Sequence, residues 1–161
     1  MKRIVTAVLL ALPVLAPVPA AAQADDEAAV RAVVVRLFDG MRAGDGRVFR
    51  EVFTPDARLQ TAAVRRDGTP ALTSMQVDSF AAMVSQPRDF VLDERIDAWD
   101  VRVDGPLAVV TVDYSFYAGP RFSHCGIDAF QLFKAADGWK IFQLTDTRRT
   151  TGCPPQTESR P

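Results

Sequence analysis

Apolar residues at Val30, Val33, Val34, Leu37, Phe38 and Met41 recur at i, i+3, i+4, i+7, i+8 and i+11, which makes one continuous face of an amphipathic helix. Asp25-Asp26-Glu27 supplies its cap and first-turn acids, and Gly44 its stop. Asp45 caps a shorter helix on which Val48, Phe49, Val52 and Phe53 share a side; Thr54-Pro55 ends it, since a residue before proline is pushed out of the α region. Residues 57–64 read as a weak strand and residues 65–70 as a turn about Asp67-Gly68. Asp78 caps a third helix carrying Phe80, Ala81, Met83 and Val84, stopped by Pro87.

From Phe90 the period changes to two. Phe90, Leu92, Ile96 and Ala98 share one parity, with Glu94 interrupting them, and Trp99, Val101 and Val103 take the other. Such a phase switch predicts a bulge near Ala98. Asp104-Gly105-Pro106 turns the chain into residues 107–117, the strongest strand, rich in Val, Thr, Tyr and Phe. Gly119-Pro120 turns it again into residues 121–149, two alternating runs joined by Ala-Asp-Gly. The pattern predicts an α+β fold: a curved antiparallel sheet of four main strands plus a short extra strand, covered by three helices.

The start of the chain changes the picture of its destination. Lys2 and Arg3 precede an apolar stretch over 4–18 broken by Pro13 and Pro17, and Ala22-Gln23-Ala24 follows as an A-x-A site. Residues 1–24 are therefore expected to be a cleaved secretory signal, giving a periplasmic or secreted protein with no membrane span after cleavage. The domain would occupy 25–149 and a loose tail 150–161. Loss of Lys2 and Arg3 takes the formal charge from −1 to −3. Mild acidity without a basic block excludes a nucleic-acid partner. In an oxidising compartment Cys125 and Cys153 are expected to pair, tethering the tail.

The order of elements, the DEAAVRAVVVRLFDGMRAGD opening, the FTPDARL segment and the DGWKI turn together resemble the nuclear-transport-factor-2-like superfamily. The SnoaL-like and "putative lumazine-binding" branches look closest. The resemblance implies a cone, with a strongly curved sheet wrapped round a pocket that three helices close. It covers isomerases, dehydratases, epoxide hydrolases, cyclases and non-enzymatic binding or dimerisation domains, so it assigns no chemistry. A first-helix tyrosine of the ketosteroid isomerase kind is absent, Phe38 being the only aromatic there. A two-histidine site of the scytalone dehydratase kind is absent too, because His124 stands alone. No cofactor is expected. One histidine and a paired cysteine set leave little for a metal.

Strand alternation sorts the hairpin into faces. With Ala136-Asp137 and Gly119-Pro120 at the turn centres, Asp128 lies opposite Thr145 and Thr111, and His124 opposite Arg149 and Ser115. One face then carries Thr111, Asp113, Ser115, Tyr117, His124, Asp128, Thr145 and Thr147 at one end, and Phe130, Trp139 and Gln143 at the other. The opposite face is mostly apolar, with Val110, Val112, Tyr114, Phe116, Ile127, Ala129, Phe142 and Leu144, and it also receives Asp146 and Arg148 as a buried or interfacial ion pair.

Two assignments compete. Either the mixed face lines a pocket for a small, partly apolar molecule, with Phe38 contributing from the helix, and the apolar back is covered by a second subunit in a homodimer. Or the apolar face is the core and the mixed face meets water. A one-residue slip exchanges them. His124, Asp128 and Asp113 are the candidate catalytic groups of an isomerase, dehydratase or cyclase, because a carboxyl in an apolar cavity works as a general acid or base. A ligand-binding domain is the leading expectation, and that enzyme and a pure interaction module are the alternatives.

Overall fold

Nine elements follow one another in the computed structural model, which describes residues 20–155, with side chains from residue 22 onward. They are α1 (Ala20–Ala43), α2 (Gly46–Glu51), β1 (Phe53–Val64), β2 (Pro70–Met75), α3 (Val77–Val84), β3 (Leu92–Asp104), β4 (Leu107–Ala118), β5 (Arg121–Ala135) and β6 (Gly138–Thr147). The predicted charged and apolar regions of a signal lie outside the described residues. No helix among the described residues is long and apolar enough to cross a membrane.

The helices follow the apolar faces. Val30, Val34, Leu37, Phe38 and Met41 of α1 are buried. The helix opens at Ala20 and not at the expected Asp25–Glu27 cap; Asp26 instead takes bonds from Lys134 Nζ at 2.6 Å and Trp139 Nε1 at 3.3 Å. Gly44, at φ +67°, ends α1 as expected. Asp45 caps α2 by accepting from the Arg47 and Val48 amides, both at 3.0 Å. That helix stops at Glu51, and Pro55 falls inside β1, where pairing is interrupted between Phe53 and Arg58. In α3 the cap position is Gln76; Asp78 lies in the first turn and accepts from Arg50 Nε at 2.5 Å.

The sheet has six strands in the order β2-β1-β6-β5-β4-β3, which corrects the expected four plus one. β2 carries no strand signal because nearly all of it is exposed and so has no apolar parity to show. The β1–β6 pair is parallel, so the sheet is mixed and not purely antiparallel. The expected bulge near Ala98 is present, with Ile96 opposite Tyr114 and Ala98 opposite Asp113.

Two further bulges decide which side chains look inward. β4 and β5 keep the expected register only as far as Tyr117 opposite Phe122; beyond it Phe116 faces His124 and Val112 faces Asp128. β5 and β6 likewise begin as expected at Phe133 opposite Lys140, then shift so that Asp128 faces Asp146. Each bulge inserts one unpaired residue, Ser123 or Phe142, bends its strand and reverses the parity of the residues beyond it.

His124, Asp128, Phe130, Trp139 and Ile141 therefore share the helix-facing side with Val110, Val112, Tyr114, Phe116 and Leu144. The mixed face expected from alternation does not exist as one surface. Its members Thr111, Asp113, Ser115 and Tyr117 lie on the outer side.

Candidate functional site

At the Phe130–Trp139 end the cone is filled by core. Phe130 meets Phe38 edge to face at 6.2 Å between ring centres, and Trp139 packs with Ile141 and Leu132. Towards the β1–β2 hairpin and α3 the filling is incomplete, leaving a cavity of about 380 Å3. Its walls are Phe38 and Met41 from α1, Phe49 from α2, Phe80 and Met83 from α3, and Phe116 from β4. Five titratable side chains converge there with Tyr114: Glu94 of β3, His124 and Asp128 of β5, Asp146 of β6, and Arg148 just beyond it.

Burial sets the character of each group. Asp128 is 2% exposed, and its Oδ2 is the buried side-chain polar atom without a hydrogen-bond partner among the described residues. Burial pushes its carboxyl well above the usual carboxylate range, and the neighbouring Glu94 and Asp146 push the same way. Glu94 is half-buried and lines the cavity. Burial raises it to about 7, a bond with Asp128 opposing the shift.

Asp146 is clamped, accepting from Thr61 Oγ1 at 2.5 Å and from Arg148 Nε at 2.6 Å. The expected ion pair between Asp146 and Arg148 is thus present. Tyr114 donates to the Thr147 carbonyl oxygen at 2.8 Å, and burial drives its hydroxyl upward in pKa. His124 lies 5.0 Å from the Phe116 ring and 5.8 Å from that of Tyr114, with Nδ1 3.0 Å from Ser123 Oγ. Burial, then Arg148, lower its pKa below the ordinary 6.5.

The sequence candidates divide accordingly. Phe38, His124 and Asp128 line the cavity. Asp113 does not: it is exposed on the outer face, opposite Ile127. Thr111 lies on that same outer side. Ser115 donates to Asp97 Oδ2 at 2.8 Å, and Tyr117 lies beneath the Arg95 guanidinium at 4.0 Å. Phe130 and Trp139 point inward but serve the filled end. Gln143 donates to Gln60 Oε1 and Thr145 Oγ1, and Thr147 Oγ1 accepts from the Ile127 amide.

Sequence reasoning misses Glu94 as a site residue, although its interruption of the apolar parity of β3 is the signal that could have found it. Alternation alone also sets Tyr114, Asp146 and Arg148 on the face away from His124 and Asp128. Among the described residues no three His, Cys, Asp or Glu side chains are placed to hold a metal ion.

The family described as "Putative lumazine-binding" matches residues 25–145. The chain belongs to that family. No curated protein matches it. Solved structures, some of them described as NTF2-like, share its fold. One is a domain of unknown function with a cystatin-like fold from Nostoc punctiforme PCC 73102, at 25% identity and TM-score 0.59, covering 80% of each chain. Another is an NTF2-like protein of unknown function from Shewanella baltica OS155, at 17% and 0.61, covering 80% of this chain and 97% of that one. A third, described as a "putative dehydratase from the NTF2-like family" of Streptomyces avermitilis, has 16% identity and TM-score 0.63 and covers 80% and 99%.

Proposed function

We propose that this domain binds a small, partly apolar molecule in the cavity between the sheet and α1–α3, with a polar group of that molecule meeting Asp128. The observation that carries the reading is Asp128 Oδ2, buried and without a partner at the wall of a partly apolar cavity. An unmet buried acceptor costs about 1–3 kcal/mol, and a ligand donor would recover it. The family's description, with its heterocyclic ligand, supports a small molecule. Native mass spectrometry of the purified protein tests this: a retained metabolite is expected, lost in Asp128→Leu. A wild-type protein that carries nothing and takes up no fragment from a broad small-molecule library would overturn it.

A second reading is acid–base catalysis of the isomerase or dehydratase kind. Glu94, raised to about 7, beside Asp128, which burial also raises, forms a proton-donor and proton-acceptor pair. Asp128→Asn separates the two, since retained binding with lost turnover marks an enzyme.

Export through residues 1–24 and dimerisation through the outer sheet face belong to the same reading. Leu107, Val109, Ile127 and Phe133 leave that face apolar and exposed. N-terminal sequencing of the secreted fraction should begin at Asp25. Ile127→Arg should turn a dimer into a monomer in light scattering; a wild-type monomer would dispose of the dimer.

A further inference from the structure

The polar groups of the cavity do not balance in charge. Three carboxyls, from Glu94, Asp128 and Asp146, face one guanidinium, and Arg148 is already committed through Nε to Asp146 Oδ2 at 2.6 Å. Glu94 and Asp128 form no ion pair among the described residues. His124, the other basic group in the cavity, is held towards its neutral form by burial and by Arg148.

The remaining charged groups that face Glu94 do not fill the gap. From α1, Arg42 Nη2 touches the Glu94 carbonyl oxygen, while Nε and Nη1 hold Asp93 and Asp39. From β4, the Tyr114 hydroxyl is spent on the Thr147 carbonyl. The cavity residues of α2, α3, β1 and β2 include nothing titratable. What these elements offer is the rings of Phe49 and Phe80, the thioethers of Met75 and Met83 and the hydroxyls of Thr61, Thr73 and Ser74, and Phe116 of β4 adds a third ring. Aromatic faces attract cations, and methionine adapts to an apolar body.

We propose that this cavity takes a small, largely apolar organic base as its cation, the charged nitrogen donating to Asp128 Oδ2 and to the Glu94 carboxylate. The proposal rests on the pocket reading above and names its ligand class. A buried acceptor with no partner, a neighbouring carboxyl held in no ion pair and walls that include aromatic rings together describe a cation's surroundings.

A proton on the carboxyls competes with the cation. Glu94, raised by burial to about 7, takes up a proton as pH falls through that value and loses the charge that would meet the cation. A cation therefore binds with proton release at lower pH. Its affinity falls about tenfold from pH 8 to pH 6, the linkage expected for one group titrating near 7.

Calorimetric titration of the full protein with three probes of one shape tests the proposal: phenylpropylamine, hydrocinnamyl alcohol and hydrocinnamate. The amine is expected to bind at least about tenfold more tightly than the other two at pH 8, as a desolvated charge pair warrants. It should weaken at pH 6 while the alcohol does not change. Glu94→Gln should abolish both the preference and the pH dependence, and the wild-type pH series stands even if that variant folds poorly. Tighter binding of hydrocinnamate would assign the site to an anion on Arg148 and overturn the proposal. So would an amine no better than the alcohol, with the pocket reading left intact. Failure of all three probes would overturn the proposal too, while the pocket reading falls only if the native protein carries nothing and the broad library also fails.

Discussion

Gly126 sits in β5 directly opposite Tyr114, and a Cβ there would meet the Thr147 carbonyl oxygen at 1.8 Å and Tyr114 Cε1 at 2.8 Å. Only a bare backbone lets the tyrosine ring cross β5 and reach β6. Gly126→Ala is expected to cost about 3 kcal/mol, the upper range for overpacking, read from the shift in urea midpoint. Tyr114→Phe, which merely loses a hydrogen bond, should cost about 1 kcal/mol in the same measurement. Glu94 makes a second prediction at this scale. Its pKa is raised in the folded state from an ordinary 4.5 to about 7. The folded protein therefore holds a proton that the unfolded chain has released. Glu94's contribution to stability is full below about pH 4.5 and is lost as pH rises through about 7. His124, lowered by burial, runs the other way below pH 6.5. The difference between wild type and Glu94→Gln isolates the carboxyl: it should shift towards the variant between about pH 5 and pH 8 in urea titrations, and a flat difference would refute the shift. Glu94 is legible in the sequence as an oddity, an acid in an apolar parity. Its partners are not, because their facing depends on residues far along other strands.

α2 shows how an element places a site. Six residues are too few to hold a helix by propensity, so the Asp45 cap and the burial of Phe49 between Phe53 and Phe80 fix it. Asp45→Ala is expected to cost about 1 kcal/mol, as cap losses do, and to loosen Phe49 at the cavity wall. Denaturant midpoint measures the first effect and exchange protection of the α2 amides the second. The strands teach the complementary lesson. The bulge in β3 announces itself, since both of its phases are apolar on one side. The bulges at Ser123 and Phe142 do not, because each lies where polar and apolar residues alternate on both faces and either register looks acceptable. β2 gives no signal at all: it is an edge strand opened by Pro70 and mostly exposed.

Across the whole molecule the Cys125–Cys153 disulfide, legible in the sequence as a pair, is formed. Cys125 is fully buried and exchanges both backbone bonds with Arg149, so the bridge ties the residues after β6 back to β5 beside the cavity's Arg148. For a separation of 28 residues the chain-entropy argument assigns about 3–4 kcal/mol. Cys125→Ala with Cys153→Ala should lower the urea midpoint accordingly and make it insensitive to reductant, whereas the wild type should lose stability when reduced.

Local chemistry determined the elements and their order. Helical faces of period 3.6, turns at Gly44, Gly105 and Gly119, and strand runs of period two each follow from a few neighbouring residues, so the chain alone declares them. It also declared that His124 and Asp128 share one side of β5, since alternation is a local property. Which residues join them from β3, β4 and β6 was decided only in three dimensions. Two unpaired residues, Ser123 and Phe142, moved each pairing by one and exchanged Asp113 and Thr145 for Tyr114 and Asp146. Strand register is a sum over contacts between distant segments, and a bulge that costs little locally is chosen for what it lets the whole sheet bury.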